Sequence, residues 1–163
     1  MAVSPQPRSI DLFCGAGGFT AGLLRAGVRS VLGSDVWTPA VETFEANFSG
    51  VPMLPADASE LSGTDLMAAS GQDAPPELLV GGPPCQGFSS AGSRVGDDPR
   101  NTLVGVFARL VAEVQPSAFI FENVEGFLTS AGGAYVTALL DPLVEAGYQI
   151  RLAKLNVANY GVP

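Results

Sequence analysis

Short apolar runs alternate with segments of helical periodicity along most of this 163-residue chain. The predicted strands cover residues 9–13, 30–34, 51–54, 78–81, 118–122 and 148–157, and the third of these is weak. The predicted helices cover residues 19–26, 38–48, 59–69, 101–114 and 135–146. This alternation of strands and helices predicts an α/β fold with a doubly wound, mostly parallel sheet.

The composition predicts a single globular domain that spans residues 1–163. Hydrophobic residues make up 47% of the chain and charged residues 15%, which is typical of a chain with a buried core. No apolar run approaches the roughly 18 residues that span a bilayer, and the first residues lack the apolar stretch of a signal peptide. We therefore expect a cytoplasmic protein with no membrane partner.

Histidine is absent, and the only two cysteines, Cys14 and Cys85, lie in separate glycine-rich turns. This distribution excludes a disulfide framework and the usual zinc clusters, so no metal site is expected. It also excludes catalytic arrangements in which a histidine activates a serine or a cysteine. Any chemistry at Cys85 must be assisted by a carboxylate, by the backbone or by the substrate.

The net charge is unfavourable for binding nucleic acid. Sixteen acidic residues against eight basic ones give −8, the wrong sign for a surface that holds a phosphate backbone. Arg94 and Arg100 follow the second cysteine turn, although Asp97 and Asp98 lie between them. If the chain contacts nucleic acid, most of the positive field must come from elsewhere.

A glycine-rich turn, CGAGG at residues 14–18, follows the first predicted strand and opens the first helix. Glycines allow close approach of the backbone to a ligand, but three of them in a tight turn can equally serve packing. Asp35 lies 20 residues beyond Gly15, at the end of the next strand, where a carboxylate can bind both hydroxyls of a ribose. With Asp57 at the end of a third strand, the pattern favours a nucleoside cofactor.

The spacing of this turn departs from the dinucleotide pattern G-x-G-x-x-G, which favours another adenosine-bearing cofactor. Trp37 could stack on an adenine or pack against the start of its helix. Val36 points the opposite way if the strand continues, so only one of the two would then cover a cofactor.

Cys85 stands in the segment GGPPCQGFSSAG, at residues 81–92, directly after a predicted buried strand. The two preceding prolines restrain its direction, which favours a nucleophile over a buried filler side chain, and Cys14 lacks this support and is interpreted as packing. Glu122 ends the fifth strand at the same edge of the sheet. It could donate a hydrogen bond to a substrate atom or, alternatively, cap the turn at Gly126.

Six ordered segments closely resemble the cytosine-5 DNA methyltransferases of bacterial type. They are DLFCGAGGFTAGL at 11–23, DVWTPAVETFEANF at 35–48, GGPPCQGFSSAG at 81–92, DPRNTL at 98–103, FENVEGF at 121–127 and LNVANYGVP at 155–163. By this resemblance the sheet is the Rossmann-like, S-adenosylmethionine-dependent methyltransferase variant of the doubly wound fold, and the chain is the amino-terminal part of its catalytic domain.

The resemblance implies S-adenosylmethionine as the cofactor. Asp35 would hold the ribose hydroxyls and Asp57 the adenine amino group. The full set of implied cofactor residues is Phe13, Gly15, Ala16, Gly17, Gly18, Asp35, Val36, Trp37, Asp57, Ala58, Gly82, Pro84 and Leu103. The family commonly has a glutamate where this chain has Asp35 and an aspartate where it has Trp37, so the contacts to adenosine are expected to differ in detail.

The resemblance also implies the reaction, methyl transfer to C5 of cytosine in double-stranded DNA within a restriction-modification system. Cys85 would attack C6 of a base flipped out of the duplex, and Glu122 would bind its N3. Residues 89–99 would form a lid, with Gln86, Ser89, Arg94 and Asn123 near the DNA. Association with the bacterial nucleoid follows as an expectation.

The family's eighth motif continues beyond the YGVP that ends this sequence, and its target recognition domain and last two motifs find no counterpart here. The sequence therefore predicts weak DNA binding and little or no methyl transfer by this chain alone. It would be one half of a split enzyme with a second polypeptide, or a fragment. Alternatives are a catalytically silent regulatory module, an RNA-modifying relative and, without the resemblance, a hydrolase that uses Cys85.

Overall fold

The computed structural model describes residues 6–84 and 102–162. Its centre is a sheet of five strands in the order β3-β2-β1-β4-β5, and every neighbouring pair is parallel. The strands are β1 (Arg8–Leu12), β2 (Arg29–Asp35), β3 (Met53–Pro55), β4 (Leu78–Gly81) and β5 (Ala118–Phe121). The predicted doubly wound α/β fold is confirmed.

In the described ranges, five α-helices connect and cover the strands: α1 (Gly18–Arg25), α2 (Thr38–Asn47), α3 (Gly63–Ser70), α4 (Leu103–Val114) and α5 (Ala134–Glu145). Short 3₁₀ turns follow at Glu125–Leu128, Ser130–Gly133 and Val157–Tyr160. All five helices were expected from periodicity, with boundaries that differ by a few residues.

Helices pack on both faces of the sheet. Successive residues of a strand point to opposite faces, so neighbouring residues of one strand contact different helices. On one face, Asp11 of β1 bonds to α1, and its register partner Gly33 lies against Phe44 of α2. On the other face, Gly81 of β4 lies against Phe107 of α4, the most extensively buried helix. Glycine is required at position 33 because an added Cβ would lie 2.5 Å from the Phe44 ring.

Helix α3 begins at Gly63, four residues later than the predicted start at residue 59. The Ser62 hydroxyl accepts a hydrogen bond from the Asp65 amide while the Asp65 carboxylate accepts from the Ser62 amide, which is a capping box. Upstream, the Asp57 carboxylate accepts from Ser59 and holds a turn there. The residues that had suggested a helix therefore form a turn at the end of β3.

The predicted sixth strand, residues 148–157, is wrong. None of these residues pairs with the sheet, and the segment ends in the 3₁₀ turn Val157–Tyr160. Residues 147–152 instead form one wall of a groove of about 630 Å³, with β5 as part of the other wall. Neighbouring strands must approach to about 4.8 Å to share hydrogen bonds, and the groove separates the two segments.

No helix in the described residues is long and apolar enough to cross a membrane.

Candidate active site

The carboxyl ends of the strands enclose a cavity of about 740 Å³, at the sheet edge where doubly wound folds bind ligands. Its wall combines aromatic and aliphatic side chains with two carboxylates. The lining residues are Phe13, Ser34, Asp35, Val36, Trp37, Ala56, Asp57, Ala58, Ser59, Gly82, Pro84, Thr102 and Leu103.

The turn between β1 and α1 has an unusual backbone. Phe13, Gly15 and Gly17 have φ values of 55°, 54° and 93°, in the left-handed region that only glycine adopts at little cost. Phe13 is not a glycine, so its conformation must be held by its surroundings, and its side chain lines the cavity. At Gly17 a Cβ would also collide with the ring of Phe48.

Asp35 connects this turn to the second strand. Its Oδ2 accepts a hydrogen bond from the Gly15 amide at 2.9 Å, and its Oδ1 accepts one from the Trp37 amide at 2.9 Å. Each carboxylate oxygen retains a second lone pair, so Asp35 can still accept from hydroxyl groups in the cavity. Asp35 can therefore accept hydrogen bonds from a ligand that carries neighbouring hydroxyl groups.

Asp57 lies on the same cavity wall. Its Oδ1 accepts from the Ser59 hydroxyl at 2.7 Å and from the Ser59 amide at 2.9 Å. These bonds, the one from the hydroxyl first, lower the pKa of the Asp57 carboxyl below its ordinary value. Asp57 is therefore an anion near neutral pH, suited to accept a hydrogen bond from an amino group.

Val36 and Trp37 both line the cavity, and both are about two-thirds exposed. Strand β2 ends at Asp35, so the alternation that would have turned one of them away does not continue to residue 37. Two apolar side chains exposed beside a polar pair form a surface that suits the face of an aromatic ring.

The second corner of the site joins β4 to β5. A Cβ at Gly82 would lie 3.1 Å from Oε2 of Glu122, and the Asn123 amide Nδ2 donates to the Pro83 carbonyl at 3.3 Å. Gly82 and Pro83 therefore lie against the end of β5, and Gly82 and Pro84 line the cavity. The segment that leads directly to residue 85 thus touches both the cavity and Glu122.

Nine of the predicted cofactor residues line the cavity: Phe13, Asp35, Val36, Trp37, Asp57, Ala58, Gly82, Pro84 and Leu103. Gly15, Ala16, Gly17 and Gly18 do not, and Gly15 contributes through Asp35. Sequence reasoning missed Ser34, Ala56, Ser59 and Thr102, each of which directly neighbours a predicted position. Cys85, Gln86, Ser89 and Arg94 lie outside the described residues.

Cys14 is only 6% exposed, and burial raises the pKa of its thiol to about 12. Such a thiol stays protonated and is a poor nucleophile, which agrees with the packing role predicted for it. The described residues contain no group of three side chains that could hold a metal ion.

The model of the family "C-5 cytosine-specific DNA methylase" matches residues 7–163, nearly the whole chain. This chain belongs to that family. Among its curated relatives, the Type II methyltransferase M1.HphI of Haemophilus parahaemolyticus is 38% identical over 158 residues, which cover 94% of this chain and 42% of M1.HphI. M.AgeI of Thalassovita gelatinovora is 38% identical and is covered to 37%.

Solved structures agree with the fold. A "DNA modification methyltransferase encoded within prophage" from E. coli superposes with a TM-score of 0.76 at 33% identity, over 85% of this chain and 38% of the other. Spodoptera frugiperda DNMT2 has a TM-score of 0.61 at 24% identity and shows the fold alone. The chain thus spans about two-fifths of the length of M1.HphI and M.AgeI, whereas it covers 68% of M.AquIA of a Picosynechococcus strain, at 34% identity.

Proposed function

We propose that this chain supplies the cofactor site and the nucleophile of an S-adenosylmethionine-dependent DNA cytosine-5 methyltransferase of a bacterial restriction-modification system. Family membership supports the reaction class, and the relatives named above are Type II methyltransferases. The observation that carries the proposal is the position of Gly82, which lines the cavity, lies against Glu122 and precedes Cys85 by three residues.

The cavity residues fit the cofactor chemically. Asp35 would accept from the ribose hydroxyls, Asp57 from the adenine amino group, and Trp37 would cover the adenine ring. Phe13 and Leu103 would close the remaining apolar wall. When bound, S-adenosylmethionine supplies an electrophilic methyl group for C5 of the cytosine ring.

Cys85 would attack C6 of a cytosine that has left the base stack. The sulfur forms a bond to C6, and the ring electrons move toward N3, where Glu122 holds or donates a proton. This addition makes C5 nucleophilic. After C5 has gained its methyl group, loss of the C5 proton to a base lets the Cys85 sulfur leave and restores the ring. Asn123 would keep the segment before Cys85 against the end of β5.

The edge of the sheet supports a further part of the proposal, that activity requires residues that the 163 of this sequence do not supply, on a longer or a second polypeptide. Among the described residues strand β5 pairs with β4 and no other strand, and Ile120 is 42% exposed. Apolar side chains near the end of the described chain are also exposed: Leu152, Leu155, Val157, Tyr160 and Val162. Several exposed apolar side chains in one part of a chain are typical of a surface that another segment covers.

The experiment measures cofactor binding and methyl transfer on one set of proteins. We expect the chain to bind S-adenosylhomocysteine in isothermal titration calorimetry, and Asp57→Asn to weaken binding by about tenfold because a charge-assisted hydrogen bond is lost. Tritiated methyl transfer to unmethylated bacteriophage DNA should require addition of the carboxyl-terminal part of M1.HphI, and Cys85→Ser should abolish it.

Asp73→Asn is the matched control, because Asp73 is an exposed carboxylate that does not line the cavity. Absence of S-adenosylhomocysteine binding would refute the cofactor proposal. Transfer that survives Cys85→Ser would refute the nucleophile, and transfer by the unmodified chain alone would refute the need for further residues.

A further inference from the structure

The amino terminus of α1 lacks a capping side chain of its own. Its N-cap residue is Gly17, and no side chain at that position accepts a hydrogen bond. A serine, threonine or aspartate would normally do so, accepting from the second or third amide of the helix. Here φ is 93° and a Cβ would collide with Phe48, so position 17 must remain glycine.

The missing cap is replaced from the neighbouring strand. Asp11 of β1 accepts at Oδ2 from the Thr20 amide at 3.1 Å and from the Thr20 hydroxyl at 2.8 Å. With Gly17 as N-cap, Thr20 is the third residue of the helix, so Asp11 takes the bond that a local cap would take. Both residues are fully buried.

From this geometry we infer that Asp11 is a positioning residue for the cofactor turn, because it fixes the start of α1 relative to β1 and so holds the residues between them. The inference rests on the proposed function for its link to the cofactor. Asp35 holds the same turn from the cavity side through Gly15. The two carboxylates therefore restrain the left-handed conformation of Phe13, whose side chain lines the cavity.

The surroundings of Asp11 are unfavourable for a purely structural carboxylate. Its Oδ1 is buried without a hydrogen-bond partner among the described residues. The ionisable groups near it are Asp35 at the end of β2 and the Cys14 thiol in the turn, while α1 offers the neutral Thr20. Burial, opposed by the Thr20 bonds and assisted by the charge of Asp35, raises the pKa of Asp11 to about 6.

An ionised carboxylate accepts hydrogen bonds more strongly than a neutral acid. Protonation of Asp11 should therefore loosen the turn as pH falls below about 6. The Asp11→Asn side chain would present one amide oxygen to Thr20 and could not titrate. The Asp11→Asn and Asp11→Ala variants thus separate the bond from the charge.

The test compares the unmodified chain with Asp11→Asn, Asp11→Ala and Asp73→Asn by calorimetry with S-adenosylhomocysteine at pH 5 and pH 8. At pH 8 we expect Asp11→Ala to bind about tenfold or more weakly, as for the loss of a charged hydrogen bond, and Asp11→Asn to bind with an affinity between those two proteins, because its neutral amide oxygen accepts as a protonated carboxyl does. Between pH 8 and pH 5 the affinity should fall for the unmodified chain and for Asp73→Asn, and stay constant for Asp11→Asn.

Equal affinity of the Asp11→Ala and unmodified proteins overturns the inference, as does the same pH dependence in Asp11→Asn. A second readout, the NMR amide shifts of Gly15 and Gly17, separates this failure from failure of the proposed cofactor. If the unmodified chain binds no S-adenosylhomocysteine, those shifts should still titrate near pH 6 and be constant in Asp11→Asn. Shifts that do not respond refute the role of Asp11 on their own. If Asp11→Ala does not fold, Asp11→Asn decides by the same two measurements.

Discussion

Asp11 places a carboxylate at a buried position, where loss of solvation makes its ionised form energetically unfavourable. The carboxylate is fully buried, and only one of its two oxygens has a hydrogen-bond partner among the described residues. The rise of its pKa from 3.8 to about 6 corresponds to about 3 kcal/mol of unfavourable free energy in the ionised folded state. A residue that stabilised the domain alone would be better replaced by a neutral acceptor.

This unfavourable free energy should appear in the pH dependence of the free energy of unfolding. Because the folded pKa is raised, Asp11 contributes stability that is fully present below pH 3.8 and is lost as pH rises through about 6. The free energy of unfolding of the unmodified chain, minus that of Asp11→Asn, should therefore fall by about 2 kcal/mol between pH 4 and pH 7, which is most of that cost.

Urea unfolding followed by circular dichroism at several pH values measures this difference. Glu77 titrates in the opposite sense, since its hydrogen bond from Arg8 lowers its pKa to about 2, but it is common to both proteins and cancels. A difference that is constant from pH 4 to pH 7 would show that Asp11 does not titrate in this range.

At the scale of elements, strand β5 pairs with β4 along one edge, and its other edge has no partner strand among the described residues. The amides of Ala118 and Glu122 donate to Glu77 and Gly81 carbonyls beside or within β4. In a parallel pair alternate residues face the same neighbour, so the main-chain groups of Phe119 and Phe121 face the other way. In the part of the chain that the structure describes, these groups have no strand to pair with.

Hydrogen exchange should reveal this alternation residue by residue. In the isolated chain we expect the amides of Phe119 and Phe121 to exchange at least about tenfold faster than those of Ala118 and Ile120, because only the latter are bonded within the sheet. Addition of the carboxyl-terminal part of M1.HphI should slow Phe119 and Phe121 selectively.

Exchange followed by NMR gives both sets of rates in one experiment, with Ala118 and Ile120 as internal controls. Equal protection of all four amides before addition would mean that the edge is already paired. Protection that does not change after addition would exclude this edge as the place where further residues join the sheet.

The sixth strand shows what sequence patterns cannot decide. The apolar runs that predicted β1 to β5 do form strands, because each of them has a neighbour at pairing distance. Residues 148–157 carry a similar pattern, but pairing depends on an adjacent edge, and here a groove separates them from β5. Tyr148 packs against Phe119 and donates its hydroxyl to the Pro116 carbonyl, which fixes one end of the segment without a ladder.

The candidate site also has a part that the sequence predicts and a part that depends on packing. Asp35 and Asp57 could be predicted because they end strands, and strand ends converge at one edge of a parallel sheet. The bonds from Asp11 to Thr20 could not, because they depend on how α1 packs over β1. A glycine at position 17 can be read from the sequence. That a side chain of β1 then replaces the missing N-cap of α1 cannot be.

At the scale of the whole molecule, the net charge of −8 is compatible with binding of a cofactor but unfavourable for binding of DNA. The chain carries 8 basic and 16 acidic residues. Of the basic residues, Arg8, Arg109 and Lys154 form ion pairs with Glu77, Glu113 and Glu125. The charged groups that line the cavity are the carboxylates Asp35 and Asp57, so the cavity needs no positive field. A phosphate backbone does need one.

We therefore expect the chain alone to bind duplex DNA more weakly than a Kd of about 10⁻⁴ M at physiological salt, the weak end of non-specific binding by dedicated DNA-binding proteins. Fluorescence anisotropy with a labelled duplex measures this, with S-adenosylhomocysteine present so that an empty cavity is not the reason for weak binding. The M1.HphI carboxyl-terminal part should raise affinity if it supplies the missing cations, and the gain should shrink steeply with added salt because counterions are released from the phosphates. Micromolar binding by the chain alone would mean that a net charge of −8 hides a basic surface strong enough to hold DNA, and the remaining residues would then serve recognition and catalysis rather than attachment.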